Sequence, residues 1–431
     1  MRTAGRIQAA IEVLKDVLER RTPVAMALRD WGKAHRFAGS KDRSAIGNIV
    51  YDALRCKSSL AYRMADESPR ALALSSSVFL GEVDLDDLIE GAKTDKHGPK
   101  PLSEKEIKNL KGGIPLSGAS DWVQADVPEW LWPAFENNFA DEAVIEGQAL
   151  THRPPLDMRV NQLKSNRAEA LKALQGHNAI EAPSSPIGVR VAAAKGSGRL
   201  PNVQIEKIFQ TGGIEIQDEG SQIVSLLVNA KPGETILDYC AGGGGKSLAL
   251  AAEMKNEGKV HAFDIDKRRL SPLYQRAARA GADIIDVIEP PFENLNHLKG
   301  KMDKVLIDAP CSGVGTWRRK PDAKWRLSED SLEKRYKEQR TVLGNAKEFV
   351  RPGGLLFYVT CSMLAEENEG QIYPFLEDNK DFTLLSAGEV YEEKIGVNAP
   401  KPWSEDGCTL TLTPASTGTD GFFFAVMERT A

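Results

Sequence analysis

The second half of the chain alternates short apolar, β-rich runs with helical patterns, and this alternation most constrains the fold. Strand–helix–strand units of this kind build a parallel sheet, so we predict an α/β fold. The predicted strands cover residues 235–238, 259–264, 284–288, 304–307 and 355–359, with a helix at 247–254. Two later runs, 409–412 and 421–426, predict a closing antiparallel hairpin.

A glycine-rich loop follows the first of these strands and reads Cys240-Ala241-Gly242-Gly243-Gly244-Gly245-Lys246. Glycines let a backbone approach a ligand closely, and a helix N-terminus presents free N–H groups. The spacing fits neither a P-loop nor the G-x-G-x-x-G pattern, and a tight structural turn is the simpler alternative. Asp264, at the end of the second strand, can accept hydrogen bonds from both ribose hydroxyls of an adenosine cofactor. Loop and acid together suit S-adenosylmethionine and NAD equally well.

Two cysteines follow the fourth and fifth strands. Cys311 lies in Asp308-Ala309-Pro310-Cys311-Ser312-Gly313, and Cys361 lies in Thr360-Cys361-Ser362. Because open α/β sheets bind ligands at the carboxyl ends of their strands, we expect both thiols at that edge. Either cysteine alone is equally well explained as a buried packing residue. The five cysteines include no C-x-x-C pair, which argues against a disulfide framework or a metal site and favours a reducing, cytoplasmic setting.

The cysteine pair fits one reaction on a pyrimidine base. Carbon 5 of cytosine is too electron-poor to accept a methyl group directly, but a thiolate added at carbon 6 makes carbon 5 nucleophilic. This route needs a nucleophile of lowered pKa, an acidic group on the base, and help with the final elimination. Asp308, Cys311 and Cys361 can supply these groups. Hydride chemistry on NAD would need no cysteine pair, so S-adenosylmethionine is the predicted cofactor.

Five stretches in order resemble the Sun/Fmu-type RNA cytosine-C5 methyltransferase family. They are GIEIQDEGSQ at 213–222, CAGGGGKS at 240–247, DAPCSGVGTWRRKPDAKWR at 308–326, VTCSMLAEENEGQI at 359–372 and TDGFFFA at 419–425. The resemblance implies a Rossmann-like methyltransferase domain in which Cys361 is the nucleophile. It also implies that Cys311 assists product release and that Asp308 contacts the target base near the cofactor.

The resemblance further assigns the cofactor site to residues 240–246, Asp264 and Asp308, with Lys246 orienting the loop or the base pocket. A third acidic contact is usual in the family after the third strand. Glu289 matches it by its spacing to Asp308, and Asp286 is the rival. The loop departs from the family's usual Ala-Pro-Gly-Gly-Lys by having glycine at positions 242 and 243. We therefore expect a more flexible loop that keeps its backbone donors.

Residues 316–326 are strongly basic and contain two tryptophans. Cations position phosphates and aromatic rings stack on unpaired bases, so a segment placed directly after the Cys311 loop predicts RNA contacts. The simpler alternative is a solvated charged surface. The target base must leave its stack to reach Cys361. The predicted RNA contacts are Arg318, Arg319, Lys320, Lys324 and Arg326.

The first half of the chain predicts two accessory domains before the catalytic segment 201–431. Residues 120–200 resemble the family's small α/β, RRM-like extension, notably at Pro154 to Asn161. Residues 1–115 resemble an all-α NusB-type RNA-binding domain, with Asp42 or Ser44 as the predicted cap of its second helix. Residues 91–120 are predicted to be a linker that contains one short helix. Bacterial members with this arrangement act on small-subunit ribosomal RNA, which makes 16S rRNA the predicted substrate.

Three alternatives remain open. DNA cytosine-C5 methyltransferases draw their nucleophile from the Pro-Cys strand and lack the second Thr-Cys-Ser strand, so having both cysteines favours RNA. A tRNA could replace ribosomal RNA as substrate. A non-catalytic RNA-binding ribosome-assembly factor is disfavoured because Asp308 and both cysteines are present. The net charge of −5 does not itself indicate nucleic-acid binding, and no apolar run reaches the length of a membrane span. We expect a monomer.

Overall fold

The computed structural model of the protein describes residues 1–193, 198, 200–398, 400 and 404–430. It consists of two compact units. The helical unit comprises Met1–Pro154, Ala193–Leu200 and Thr316–Leu327, and the sheet unit comprises Pro155–Ala192, Pro201–Gly315 and Ser328–Ala431. The predicted α/β fold with an all-α N-terminal domain is confirmed. Helices α8 to α10, between residues 121 and 149, belong to the helical unit, as do residues 316–327.

Nineteen α-helices occur in the described residues. None of them is long and apolar enough to cross a membrane. They are α1 (Thr3–Glu19), α2 (Val24–Ala34), α3 (Ser40–Arg55), α4 (Lys57–Met64), α5 (Pro69–Ser75), α6 (Leu85–Thr94), α7 (Glu104–Gly112), α8 (Asp121–Gln124), α9 (Trp132–Phe139), α10 (Ala143–Ala149), α11 (Arg167–Ala173), α12 (Lys207–Gln210), α13 (Glu219–Leu226), α14 (Gly245–Glu253), α15 (Lys267–Ala280), α16 (Pro321–Arg326), α17 (Glu329–Ala346), α18 (Glu369–Asp378) and α19 (Ala387–Lys394).

The helical unit corrects two predictions. The short helix predicted within the segment 91–120 is present as α7, which starts with a capping box between Ser103 and Glu106, but the segment is not a linker. Leu110 of α7 is only 2% exposed and packs into the core of the unit, so this segment is part of the domain. Helix α3 begins at Ser40 after Gly39, and neither Asp42 nor Ser44 caps it. The Asp42 carboxylate instead accepts a hydrogen bond from Arg6 Nε at 2.9 Å.

The strands form two sheets within the sheet unit. The small sheet is antiparallel in the order β2-β3-β1-β4 and packs Met158, Val189 and Ile214 into its core. Its edge strand β4 comes from residues predicted to lie in the catalytic segment. The strands are β1 (Leu156–Val160), β2 (Ile180–Glu181), β3 (Gly188–Val191), β4 (Ile214–Ile216), β5 (Thr235–Asp238), β6 (Lys259–Phe263), β7 (Ile285–Ile288), β8 (Met302–Asp308), β9 (Val350–Thr360), β10 (Phe382–Leu384), β11 (Thr409–Leu412) and β12 (Phe422–Arg429).

The large sheet has the order β7-β6-β5-β8-β9-β12-β10, with β11 also paired to β12. Strands β5 to β9 are parallel, and β12 is antiparallel to β9. The five predicted parallel strands and the closing hairpin of β11 and β12 are therefore confirmed. Because neighbouring parallel strands end at one edge, Asp238 of β5, Asp308 of β8 and Thr360 of β9 bring their following loops together.

Candidate active site at the carboxyl edge of the large sheet

The thiols of Cys311 and Cys361 meet at this edge. Their Sγ atoms lie 3.3 Å apart, and both cysteines are free and half-buried. The hydrogen bond with Cys361 and burial raise the pKa of the Cys311 thiol well above its ordinary value, and the carboxylate of Glu367 adds to this effect. Cys311 is therefore a protonated thiol at neutral pH. The sheet topology thus brings together the two cysteines that sequence analysis had placed on separate strands.

The backbone at Gly315 packs closely between the backbone of Cys361 and that of Gly421. The N–H of Gly315 donates to the carbonyl of Cys361 at 3.0 Å, and the N–H of Gly421 donates to the carbonyl of Gly315 at 2.8 Å. A Cβ atom at Gly315 would lie 2.3 Å from the carbonyl oxygen of Gly421, which is closer than such atoms can approach. Both positions therefore require glycine. This backbone crossing thus joins the motif at 308–326 to the C-terminal motif at 419–425.

Lys246 and Asp308 form an ion pair beside the thiols. Lys246 Nζ lies 2.6 Å from Asp308 Oδ2 and 5.5 Å from the centre of the Phe422 ring. Burial disfavours the charge of Lys246, which is 7% exposed, but Asp308 outweighs it and the pKa of Lys246 is raised. The ammonium is therefore charged and forms an ion pair with Asp308. The side chain of Asp308 remains 36% exposed and is accessible to a ligand.

Asp238 is a buried carboxylate that the sequence analysis did not assign to the site. Its Oδ2 atom accepts a hydrogen bond from Ser247 Oγ at 2.6 Å, and its Oδ1 atom has no partner in the part of the chain described. Burial raises the pKa of Asp238 to about 7, and the charge of Asp308 adds to this although Ser247 opposes it. An acidic residue ending an apolar strand just before a glycine loop was the signal that could have identified it.

The glycine loop is fixed at three points. The N–H of Gly242 donates to Asp264 Oδ2 at 3.0 Å, Arg276 Nη1 donates to the carbonyl of Gly243, and the N–H of Gly244 donates to the carbonyl of Ala241 at 2.8 Å. Gly242 and Gly244 have φ values of +51° and +76°, in the left-handed region that favours glycine. These contacts offset the flexibility that four consecutive glycines would otherwise give. The adjacent Cys240 is a packing residue, and burial raises its pKa well above the ordinary value.

The acidic residues on the cofactor side differ in their partners. Asp264 is buried and accepts hydrogen bonds from two backbone N–H groups, of Gly242 and Asp266. Glu289 directly follows the end of β7 and contacts Lys267 at 2.7 Å, which lowers its pKa. Asp286 lies inside β7 and is paired with His261 at 3.0 Å. The position of Glu289 at the carboxyl edge favours it over Asp286 as the third acidic contact.

The basic segment after Cys311 folds differently from the prediction. Arg318 and Lys324 are buried within the helical unit, so they are not accessible to RNA phosphates and that prediction is corrected. Lys324 Nζ donates to the carbonyls of Arg55 and Asp126 at 2.9 and 2.7 Å. Buried Trp317 stacks on Phe135 and cannot stack on a base.

Three of the predicted RNA contacts keep accessible surface. Lys320 and Arg326 are exposed, and Arg319 is half-buried. Arg326 is also paired with Asp322 at 2.9 Å, four residues earlier on α16. An RNA contact by this segment would therefore rest on these three side chains.

Comparison with known proteins relates two segments of the chain to one family. The family model described as "16S rRNA methyltransferase RsmB/F" matches residues 225–428, and that described as "Methyltr_RsmF/B-like, ferredoxin-like domain" matches residues 127–196. "Probable ribosomal RNA small subunit methyltransferase B" of Bacillus subtilis is 34% identical over 307 residues, which cover 70% of this chain and 66% of that protein. The match thus spans just under two thirds of that relative.

Two further similarities extend over nearly the whole chain. "Ribosomal RNA small subunit methyltransferase B" of Shewanella oneidensis is 28% identical over 439 residues, which cover 96% of this chain and 97% of that protein. The crystal structure of the protein PH0851 matches with a TM-score of 0.75 at 25% identity and covers 99% of both chains. The similarity therefore includes the helical unit as well as the sheet unit.

Proposed function

The chain belongs to the RsmB/F family of 16S rRNA methyltransferases, and from this premise we propose that it methylates carbon 5 of a cytosine in small-subunit ribosomal RNA. The observation that carries the proposal is the pair of free thiols, 3.3 Å apart, at the sheet edge that also bears Asp308. Two adjacent thiols serve a reaction that must both form and break a carbon–sulfur bond.

S-adenosylmethionine is the proposed cofactor, and the residues present fit it. The orphaned Asp238 Oδ1 is a buried acceptor beside a glycine loop, as a cationic amine or a hydroxyl group of the cofactor requires. Asp264 and Glu289 offer carboxylates at the ends of the next two strands for ribose and adenine. Residues 240–246 offer backbone groups at the N-terminus of α14. When bound, the cofactor supplies an electrophilic methyl group.

The two cysteines have different proposed roles. Cys361, in the Thr-Cys-Ser motif at the end of β9, is the proposed thiolate that adds to carbon 6. In the final elimination the carbon 5 proton leaves to a base, the ring double bond re-forms, and the sulfur of Cys361 departs as a thiolate. The Cys311 thiol, 3.3 Å away, can donate a hydrogen bond to that departing sulfur. Asp308, oriented by Lys246, contacts the amidine edge of the base.

Methyl transfer to unmodified small-subunit rRNA tests the proposal. Wild-type protein and the control Cys408→Ala, which changes a thiol just before β11, are expected to produce 5-methylcytosine. Cys361→Ala is expected to produce none, and Cys311→Ala is expected to remain covalently attached to RNA in a denaturing gel. Unchanged activity of Cys361→Ala would refute the mechanism. Transfer to tRNA but not rRNA would favour the alternative substrate, and inactivity of the wild type on both would favour an assembly factor.

A further inference from the structure

Cys311 is held through the two residues that flank it. Gln339 of α17 donates from Nε2 to the carbonyl of Pro310 at 2.9 Å. On the other side, the N–H of Ser312 donates to Glu367 Oε1 at 2.8 Å, and the Ser312 hydroxyl donates to Glu367 Oε2. Gln339 and Glu367 are both fully buried, and Gln339 Nε2 also donates to Glu367 Oε1 at 3.0 Å. One connected pair of side chains therefore fixes the backbone before and after Cys311.

The loop around Cys361 is held in a similar manner by Asn368, the residue that follows Glu367. Asn368 Oδ1 accepts from the hydroxyl of Thr360 at 2.7 Å, and Asn368 Nδ2 donates to the carbonyl of Ser362 at 3.2 Å. Asn368 is only 1% exposed, so its polar atoms are committed to these contacts. The hydroxyl of Tyr358 donates to the carbonyl of Glu367 at 2.8 Å and fixes the backbone between the two holding residues. Glu367 thus holds the loop of Cys311, and the adjacent Asn368 holds the loop of Cys361.

We propose that Gln339, Glu367 and Asn368 are positioning residues that set the spacing of the Cys311 and Cys361 thiols for catalysis. The proposal rests on the proposed function, since it is the covalent reaction that needs two sulfurs at a fixed distance. A shift of about 1 Å in a reacting group costs on the order of 100-fold in rate. Their hydrogen bonds go to the flanking backbone and to Ser312, and the charge of Glu367 also raises the pKa of the Cys311 thiol.

The carboxylate of Glu367 is suited to this role because it faces only donors. It accepts from the Ser312 N–H, the Ser312 hydroxyl and the Gln339 amide. A glutamine at position 367 would bring an NH₂ group that must face at least one of these donors. Glu366, its exposed neighbour, provides a matched control because Glu366→Gln makes the same chemical change without a buried contact. Asn368→Asp keeps the acceptor for Thr360 but loses the donor to Ser362.

Dibromobimane, which becomes fluorescent when it bridges two nearby thiols, measures the spacing directly in the full-length protein without RNA or cofactor. Wild type and Glu366→Gln are expected to bridge at the same rate, with Cys311→Ser as the background. Glu367→Gln and Asn368→Asp are expected to bridge roughly tenfold more slowly and to lose about 100-fold in kcat, with the KM for S-adenosylmethionine changed less than about twofold. If circular dichroism shows that the other variants do not fold, Ser312→Ala, a smaller change, tests the same contact.

The two proposals fail in different ways. A wild-type bridging rate in folded Glu367→Gln, Asn368→Asp and Ser312→Ala would overturn the positioning role, whatever their activity. Slower bridging in these variants, together with a wild-type protein that does not methylate rRNA, would support the positioning role and refute the proposed function. Slower bridging in Glu366→Gln as well would show a general effect of charge removal and would also overturn the positioning role.

Discussion

The buried ammonium of Lys324 makes the stability of the helical unit depend on pH in a way that can be calculated. Burial lowers the pKa of Lys324 from its ordinary 10.5 to about 8, although Asp126 partly opposes this. Between these two values the unfolded chain binds the proton and the folded chain does not. Unfolding therefore takes up a proton, and the free energy of unfolding rises with pH in this window. Below pH 8 both states are charged and Lys324 adds no pH dependence.

The size of the effect follows from the same two pKa values. One pH unit inside the window is worth ~1.4 kcal/mol, so raising the pH from 7 to 9.5 should contribute about 2 kcal/mol of stability through Lys324. Lys324→Met removes this contribution. Burial raises the pKa of Cys56 to about 12, and losing the charge of Lys324 raises it further. The folded thiol is therefore neutral up to pH 9.5 in both proteins, and its effect cancels in the comparison. In Lys324→Met, Asp126 loses its cationic neighbour, so its pKa is raised further. This change also makes wild type more stable relative to the variant at the higher pH.

Urea unfolding followed by tryptophan fluorescence at pH 7 and 9.5 measures this difference in the full-length protein. The helical unit contains Trp31, Trp122, Trp130, Trp132, Trp317 and Trp325, six of the seven tryptophans, so the signal reports mainly on that unit. The stability of wild type relative to Lys324→Met should increase by about 2 kcal/mol between the two pH values. Lys320→Met, which changes an exposed lysine on the same segment, should behave as wild type. Equal pH dependence in wild type and Lys324→Met would refute the reasoning.

Three further predictions concern the sheet unit. Gly421→Ala places a Cβ atom 2.6 Å from Gly315 Cα and should lower the free energy of unfolding by about 1–3 kcal/mol in urea titrations; no loss would contradict the backbone crossing. Oxidation with diamide should join Cys311 and Cys361, 3.3 Å apart, in a disulfide and abolish methyl transfer until dithiothreitol is added, as checked by peptide mapping. Glu289→Gln should raise the KM for S-adenosylmethionine roughly tenfold, and an unchanged KM would point to Asp286.

The parallel strands and the position of the cysteines were predictable because both depend on local pattern. Short apolar runs bounded by turns predict strands, and parallel strands bring their carboxyl ends to one edge. Strand β4 was missed because it is short and is defined by its pairing with β1, more than 50 residues earlier in the chain. Glu367 and Asn368 were missed for a different reason. In sequence they resemble the polar start of a solvated helix, and only the fold shows that they are buried against the cysteine loops.

The basic segment 316–326 shows why charge in a sequence is weak evidence for nucleic-acid contact. Within the helical unit, Asp322 accepts a hydrogen bond from the N–H of Val24, the first residue of α2. Lys324 and Trp325 donate to the carbonyls of Arg55 and Leu54, the last two residues of α3. Helix ends leave such groups without intrahelical partners, and the acid meets the positive end of one helix while the cation meets the negative end of another.

The charges of Asp322 and Lys324 on α16 therefore serve the ends of two helices, whether or not RNA is present. A phosphate contact needs a cation that is exposed, and Lys320 and Arg326 meet that condition where Lys324 does not. Substituting Lys324 should act on folding and substituting Lys320 on binding. A scan of the segment that treats its basic residues as equivalent would combine two physical effects that the structure separates.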